Sequence, residues 1–241
     1  MTDQPAVGDP PEAPLRQAPA WNVGHAAAGF AAAFVLSTVA GAVWVGVSGE
    51  QEVTLGLTVA ALLGQWTGLV GSAVLVSRRK GTGNLAADLG LRLERADVAR
   101  GLAVGVACQL ILVPLLYLPF SLFDVDVDVS EEAREVTGLA EGPGIAVLAL
   151  CIVVGAPLAE ELFFRGLLQR AVSGRHGPRW GIAVSSVVFG ITHFQPVQLL
   201  GLVAFGVVLG VLAERAGRLG PSIVAHMAFN ATTVVLLVAL G

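Results

Sequence analysis

The stretch GIAVLALCIVVGAPLAEELFFRGLL, residues 144–168, decides the fold class of this chain. It is an apolar run of the length that a helix needs to cross about 30 Å of hydrocarbon, which takes roughly 20 residues. Inside it lie Glu160 and Glu161. An ionisable group at the centre of a bilayer helix costs about 2.5 to 3.5 kcal/mol even on lenient insertion scales. The stretch therefore predicts a membrane-spanning helix that also carries a functional site.

The rest of the chain has the composition of a membrane protein. Its 241 residues are 55% hydrophobic and 13% charged, against about 25% charged for a typical soluble domain, and the mean hydropathy is +0.77. Cys108 and Cys151 lie in apolar runs and indicate neither a disulfide framework nor a cysteine metal site. We predict an all-α polytopic bundle of about seven transmembrane helices. The apolar runs lie at about 24–48, 53–76, 101–123, 144–168, 180–195, 197–213 and 220–240.

The order of these runs predicts the domain organisation. Residues 1–22 are rich in proline and lack an apolar period, which is typical of a disordered tail. We assign 23–241 to a single transmembrane domain with its catalytic core in about 144–235. The fifth and sixth runs are short and are separated by Pro196, which indicates a short helical hairpin or a bend buried in the bundle. The stretch LGLRLERADVAR, residues 89–100, predicts an amphipathic segment at the cytoplasmic interface.

Basic residues predict the orientation, because short cytoplasmic loops concentrate Lys and Arg. The three loops on one side carry Arg78, Arg79, Lys80, Arg92, Arg95, Arg100, Arg170, Arg175, Arg179, Arg215 and Arg218. The loops on the opposite side carry the acids Glu50, Glu52, Asp124, Asp126, Asp128, Glu131, Glu132, Glu135 and Glu141, with Arg134 as the sole basic residue. We therefore predict an integral membrane protein with a cytoplasmic N-terminus.

Polar residues inside three of the apolar runs predict one site. Counted from the cytoplasmic helix ends at about 1.5 Å per residue, Glu160 lies about 15 Å deep and His193 about 20 Å deep, while His226 and Asn230 lie about 9 to 15 Å deep. His226 and Asn230 stand four residues apart and so share a helix face. Two histidines, a carboxylate and an amide at a similar depth favour a site over scattered structural groups.

The two glutamates are predicted to differ in role. Glu161 and Arg165 stand four residues apart with the acid first, which is the favourable order for an ion pair on one helix face. Glu160 points about 100° away from Glu161 and is left to face the bundle interior. Pro157, one turn earlier, is expected to bend the helix and to release a backbone carbonyl.

Two kinds of chemistry fit this residue set. A buried carboxylate can act as general base toward water while an imidazole orients the water. A second imidazole and an amide can then donate hydrogen bonds to the oxyanion of a tetrahedral intermediate. Alternatively, Glu160, His193 and His226 could be ligands of a catalytic zinc with an open position, although the chain has no HExxH motif. Because Asn is a poor zinc ligand, Asn230 favours the reaction without metal.

Three motifs in these runs resemble those of a known family. EELFFRG at 160–166, FGITH at 189–193 and HMAFN at 226–230 are similar to the EExxxR, FxxxH and HxxxN signatures of the CPBP intramembrane peptidases, the Abi or CAAX-prenyl-protease type. The resemblance covers about residues 144–235, with the order and spacing of the motifs intact. The first half of the chain matches the family only in hydropathy and in the LGLR stretch before the third run.

The resemblance implies an intramembrane endopeptidase whose cavity opens toward the cytoplasmic side, in the inner half of the membrane. It implies that Glu160 and His193 activate water and that His226 and Asn230 stabilise the oxyanion. The remaining motif positions, Glu161, Arg165 and Phe189, would then be supporting residues. Members of the family have been described both as metalloproteases and as glutamate-dependent peptidases, so the cofactor expected is zinc or none.

The expected partners are a peptide or membrane-protein substrate and the lipid bilayer, with no nucleic acid. The bias toward Ala, Val, Gly and Arg indicates a high-GC bacterium and hence a bacterial plasma membrane. Two other functions fit the residues. One is a catalytically silent scaffold or bacteriocin-immunity protein of the same fold. The other is a proton-coupled transporter, which predicts matching broken helices in two repeated halves. The polar residues here cluster instead in the C-terminal half.

Overall fold

The described part of the chain is all α-helical. The structure is a computed structural model, and it describes residues 19–50, 52–122 and 131–240. The helices are α1 (Val23–Ser48), α2 (Leu55–Lys80), α3 (Leu85–Asp88), α4 (Arg95–Ala107), α5 (Val113–Leu122), α6 (Glu131–Gly138), α7 (Pro143–Leu150), α8 (Ala156–Glu160), α9 (Arg170–His176), α10 (Pro178–Ile191), α11 (Leu199–Ala216) and α12 (Gly220–Leu240).

Short π-helical segments join several of these helices end to end. Cys108–Leu112 links α4 to α5, Cys151–Gly155 links α7 to α8, and Glu161–Gln169 links α8 to α9. The last two make Pro143–His176 one continuous helix of 34 residues, hereafter the long helix. π-bulges occur often at functional sites because they shift the face that a helix presents. Here one of them begins at the predicted glutamate pair.

The predicted membrane architecture is confirmed. Within the described ranges, six helices are long and apolar enough to cross a bilayer, and α10 is a shorter apolar helix. Each of the seven predicted runs overlaps one of these helices. The predicted hairpin between the fifth and sixth runs corresponds to α10, the turn at 192–198 and α11. The third spanning helix, Arg95–Phe120, combines α4 with most of α5.

The N-terminal helices pack closely against each other and against the long helix. A Cβ at Gly68 of α2 would collide with the backbone of Ala33 in α1, so glycine permits this close approach. Of the predicted tail, residues 1–18 lie outside the described residues. Trp21 is buried and its Nε1 donates to the carbonyl of Leu167 at 3.2 Å, while Asn22 caps α1. The bundle therefore includes the last residues of the segment predicted as tail.

A polar network closes the arginine-rich end of the bundle. Arg218 forms a two-point ion pair with the buried Asp97, through Nε to Oδ2 at 3.0 Å and Nη2 to Oδ1 at 2.8 Å. Arg170 of the long helix donates to the carbonyls of Asp88 and Gly217, each at 3.2 Å. The N–H of Leu219 donates to Gly90 at 2.8 Å. These bonds hold residues 81–94 across the helix ends.

Asp88 anchors the start of this crossing segment. Burial disfavours its charged form, but hydrogen bonds from Ser77 and Thr82 outweigh burial and hold the pKa of Asp88 below its ordinary value. In the predicted amphipathic segment 89–100, Leu89 is fully buried and α4 begins at Arg95. Glu94 and Asp97 of this segment both pair with Arg218, so part of its charge belongs to the network.

Reporter fusions test the predicted orientation. Reporter domains fused after Lys80, after Arg175 and after Arg218 are expected in the cytoplasm, and one at Glu132 is expected outside, because Lys and Arg concentrate on one side. Activity of a periplasmic reporter such as alkaline phosphatase at each point is the measurement. A periplasmic signal at Arg175 would reverse the predicted orientation. Three of the acids assigned to the outer side, Asp124, Asp126 and Asp128, lie outside the described residues.

Candidate active site

The long helix brings two glutamates into the bundle with different surroundings. Glu161 is fully buried and its Oε1 accepts from Arg165 Nη1 at 2.8 Å, so the predicted ion pair is formed. Arg165 Nη2 also donates to the carbonyl of Gly206 in α11 at 3.1 Å. The guanidinium carbon lies 4.5 Å from the ring centroid of Phe189, a cation–π distance. Arg165 is thus fixed from three sides and cannot turn toward the cavity.

Glu160 faces a cavity on the other side of the helix. Its side chain is 17% exposed, and its Oε2 lies 3.8 Å from Nε2 of His226. His226 is the ion-pair partner described for this carboxylate. The hydrogen bonds and the ion pair of Glu161 and Arg165 do not involve it. Glu160 is therefore the member of the pair that can meet a molecule in the cavity.

The hydrogen bonds of the two histidines define their tautomers. His193 Nδ1 lies 2.7 Å from the carbonyl oxygen of Phe189, and His226 Nδ1 lies 3.1 Å from Oε1 of Glu161. A carbonyl and a carboxylate can only accept, so each Nδ1 carries the hydrogen. In the neutral rings the lone pair is then on Nε2, and Nε2 of His226 is the atom nearest Glu160. A neutral His226 can accept a hydrogen bond there, whereas only the imidazolium can donate one.

Asn230 donates a hydrogen bond to a backbone carbonyl of the long helix that lacks its usual donors within that helix. In the π segment, the N–H of Ala156 donates to Cys151, five residues back, and the next residue, Pro157, has no N–H. The carbonyl of Ile152 is left without either donor, and Asn230 Nδ2 donates to it at 2.8 Å. The release of a backbone carbonyl predicted for Pro157 is therefore found at Ile152, and Asn230 links α12 to the helix that carries Glu160. One amide hydrogen of Asn230 remains for other use.

Removing this bond is expected to destabilise the protein. Asn230→Leu should cost about 1 to 3 kcal/mol, the penalty for a buried carbonyl left unpaired, measured by unfolding in SDS-containing mixed micelles. The control is Thr233→Val, since Thr233 Oγ1 donates only to Phe229 of its own helix. Pro157→Ala restores an N–H near Ile152 and should reduce the cost of Asn230→Leu in the double variant. Equal costs with and without Pro157 would contradict this account.

One cavity of about 390 Å³ brings the four predicted catalytic residues together. Glu160 of the long helix, His193 after α10, and His226 with Asn230 of α12 all line it. Phe189 lies between the two imidazoles, with ring centroids 4.6 Å from His193 and 5.7 Å from His226. These edge contacts hold the rings in place. The supporting residues Glu161 and Arg165 lie behind this surface.

The cavity also contains polar residues that the sequence reasoning missed. They are Thr58, Gln109, Tyr117, Thr137, Gln195, Gln198 and Thr233. Oε1 of Gln109 is buried with no hydrogen-bond partner. Gln109 and Tyr117 lie in the third predicted run. Polar residues in an apolar helix could have indicated that this helix also lines the site. Tyr117 Oη donates to the carbonyl of Val197 at 2.7 Å and so holds the turn that follows His193.

That turn carries an unusual backbone. Phe194, directly after His193, has φ of 56°, in the left-handed region. A non-glycine residue there costs of order 1 to 3 kcal/mol and persists only where the surroundings enforce it. α10 ends at Ile191, and the strained residue lies in the turn directly after His193, which leaves His193 at the edge of the cavity.

A zinc site was the alternative expectation for these residues. The lone pairs on Nε2 of His193 and His226 and the carboxylate of Glu160 are the right donor types for zinc. In the described ranges, however, no three His, Cys, Asp or Glu side chains are arranged to hold a metal ion. The site as placed does not fit a three-ligand metal centre.

Comparison with known proteins agrees with the motifs. Residues 142–232 match the family model described as Type II CAAX prenyl endopeptidase Rce1-like, and this range contains all four cavity-lining candidates. The "Putative membrane peptidase YdiL" of Bacillus subtilis strain 168 is 27% identical over 107 residues, which cover 44% of this chain and 43% of that protein. No solved structure gives a significant match.

These matches concern the motif-bearing part of the chain. That part is similar to the Rce1-like family, and the family resemblance drawn from the three motifs is confirmed. The other described residues belong to the helical bundle described above.

Proposed function

We propose that the protein is an intramembrane endopeptidase that uses Glu160 to activate water. The observation that carries the proposal is the convergence of Glu160, His193, His226 and Asn230 on one cavity from three separate segments. The family match supports a peptidase. A carboxylate, two imidazoles and an amide are the groups that water attack on a peptide bond requires.

The proposed reaction begins with proton transfer from water to the carboxylate of Glu160. The resulting hydroxide attacks the carbonyl carbon of the peptide bond, and the carbonyl electrons move to oxygen. His193 accepts a hydrogen bond from the water at Nε2 and so orients it. When the tetrahedral intermediate collapses, the C–N bond breaks and Glu160 returns the proton to the leaving amine. The products are a new carboxylate and a new N-terminus.

The oxyanion needs hydrogen-bond donors that are already in place. Asn230 has one amide hydrogen besides the one bonded to Ile152. His226 can donate from Nε2 only as the imidazolium, and its Nδ1 lies 3.1 Å from the Glu161 carboxylate, which fixes the ring. In this proposal Glu161 is a positioning residue: it fixes the ring of His226 while its own charge is balanced by Arg165.

Labelling of new N-termini in membranes tests the proposed function. Cells that express the chain should show N-terminal peptides of membrane proteins that are absent from cells expressing Glu160→Gln at the same level. The two samples share every feature except the base, so an immunity or scaffold role that needs no catalysis would leave them identical. Identical sets of new termini would reject the peptidase proposal.

We propose further that the reaction needs no metal, because Asn230 suits oxyanion donation better than zinc coordination. Purified active protein treated with a strong chelator is expected to keep full activity and to contain no stoichiometric zinc by elemental analysis. The matched sample is protein reloaded with zinc, which should show no gain in activity. Zinc whose removal and return switch the activity off and on would establish a metal mechanism with Glu160, His193 and His226 as ligands.

A further inference from the structure

Among the described residues, those that line the cavity extend from Glu160 toward one end of the bundle. The residues that line it come from the helix ends on the acidic side: the start of α2, the second half of the third spanning helix, the start of the long helix, the start of α11 and the end of α12. Examples are Thr58, Tyr117, Leu148, Gly201 and Leu237. This is the end opposite Lys80, Arg175 and Arg218. In the predicted orientation this is the extracytoplasmic end, opposite to the cytoplasmic opening that the family resemblance implies.

The arginine-rich end is closed below the glutamate pair. Phe163, Leu167, Leu89 and Leu219 are all at most 1% exposed, and they fill the bundle between Glu161 and the crossing segment 81–94. That segment is held by the Asp97–Arg218 pair and by the bonds of Arg170. A peptide entering from this end would have to break the polar network and displace a packed core.

The lining of the cavity is uncharged apart from the catalytic groups. In the described part of the chain, Glu160 is the only Asp, Glu, Lys or Arg among the residues that line it. The other polar groups are amides and hydroxyls such as Gln109, Gln195 and Thr233. Such groups can bond a peptide backbone, whereas a charged side chain or a free terminal carboxylate would be desolvated without a counter-ion.

We infer that the substrate is an uncharged, extended internal segment of a polypeptide that reaches Glu160 from the extracytoplasmic side of the membrane. The inference rests on the proposed function for the cleavage step and on the positive-inside rule for the side. The size of the cavity, about 390 Å³, falls within the range of small-ligand sites, about 300 to 1,000 Å³. It therefore admits a few residues around the scissile bond, and the rest of the substrate lies outside it.

Cys151 provides a native reporter of access. It lines the cavity, while the second cysteine, Cys108, is buried and does not. In a Cys108→Ala chain expressed in intact cells with an accessible outer face, a membrane-impermeant methanethiosulfonate should label Cys151 from outside. Two added cysteines, each in a Cys108→Ala/Cys151→Ala chain, serve as controls for the two faces of the membrane. Thr137→Cys at the acidic end should be labelled from outside, and Arg175→Cys only after the membrane is opened.

Each outcome decides the side of access. Labelling of Cys151 only from the cytoplasmic face would overturn the inference. Labelling of the Thr137→Cys chain from outside, together with no labelling of Cys151 from either side in the Cys108→Ala chain, would also overturn it, because the cavity would then have no path to that face. The reaction needs no catalysis, so Glu160→Gln should label identically. Outside labelling without any proteolysis would leave the access inference standing and reject the peptidase proposal.

Protection of Cys151 tests the chemical class of the substrate. A capped, uncharged peptide of leucine, alanine and glutamine should slow the labelling of Cys151 severalfold in the Glu160→Gln chain. The same peptide with one central aspartate, and the same peptide with a free carboxyl end, should not slow it. Equal protection by the charged and uncharged peptides would overturn the inference about substrate charge.

Discussion

Glu160→Gln is expected to lower the rate of peptide cleavage by about 10²- to 10⁴-fold, the usual contribution of a positioned general base. Glutamine has nearly the same shape as glutamate, but its amide cannot take a proton from water. The carboxylate of Glu160 faces the cavity, and its one described polar neighbour is Nε2 of His226 at 3.8 Å. Loss of the charge should therefore leave the free energy of unfolding near that of the wild type.

The measurement combines cleavage rates with unfolding of the same purified samples. Substrates are those that yield the new N-termini described above. Glu141→Gln is the matched control, because Glu141 is an exposed acid that precedes the long helix, and it should match the wild type in both assays. A Glu160→Gln protein that keeps cleavage within tenfold of wild type would remove Glu160 from the role of base. A large loss of stability would show that its carboxylate is structural.

Local spacing was sufficient to predict much of this site. The pairing of Glu161 with Arg165 depends on an interval of four residues along one helix, so it needs no knowledge of the neighbours. The spanning helices follow equally from the length of the apolar runs. Both predictions concern contacts or lengths within a single segment.

Features that depend on packing between segments were not predictable in the same way. Ile152 needs Asn230 because a π segment shifts the hydrogen-bond register just before Pro157, and no apolar period reveals such a shift. The tautomer of His226 depends on Glu161, 65 residues earlier in the chain. The direction of the cavity depends on how residues 81–94 cross the helix ends. Hydropathy places that segment at the interface but does not show that it closes one end.

Glu161→Gln is expected to reduce stability as well as activity, unlike Glu160→Gln. Arg165 has no exposed side-chain surface, and removal of its partner leaves a buried charge uncompensated, at a cost of about 3 to 5 kcal/mol. The remaining bond from Arg165 to Gly206 is to a neutral carbonyl and offsets little of this. His226 also loses the carboxylate that holds its Nδ1, so the rate should fall in the protein that remains folded.

A second substitution separates the buried charge from the hydrogen bond. Glu161→Gln/Arg165→Met removes both charges and replaces the guanidinium with an apolar side chain, so most of the lost stability should return. The cleavage rate should stay low, because His226 still lacks its carboxylate partner. The wild type, Glu161→Gln and the double variant are compared by unfolding in SDS-containing mixed micelles and by cleavage of the same substrates. If Glu161→Gln and Glu160→Gln instead cause equal losses of activity with no loss of stability, the two acids share one catalytic task, and a metal bridged by both becomes the better explanation.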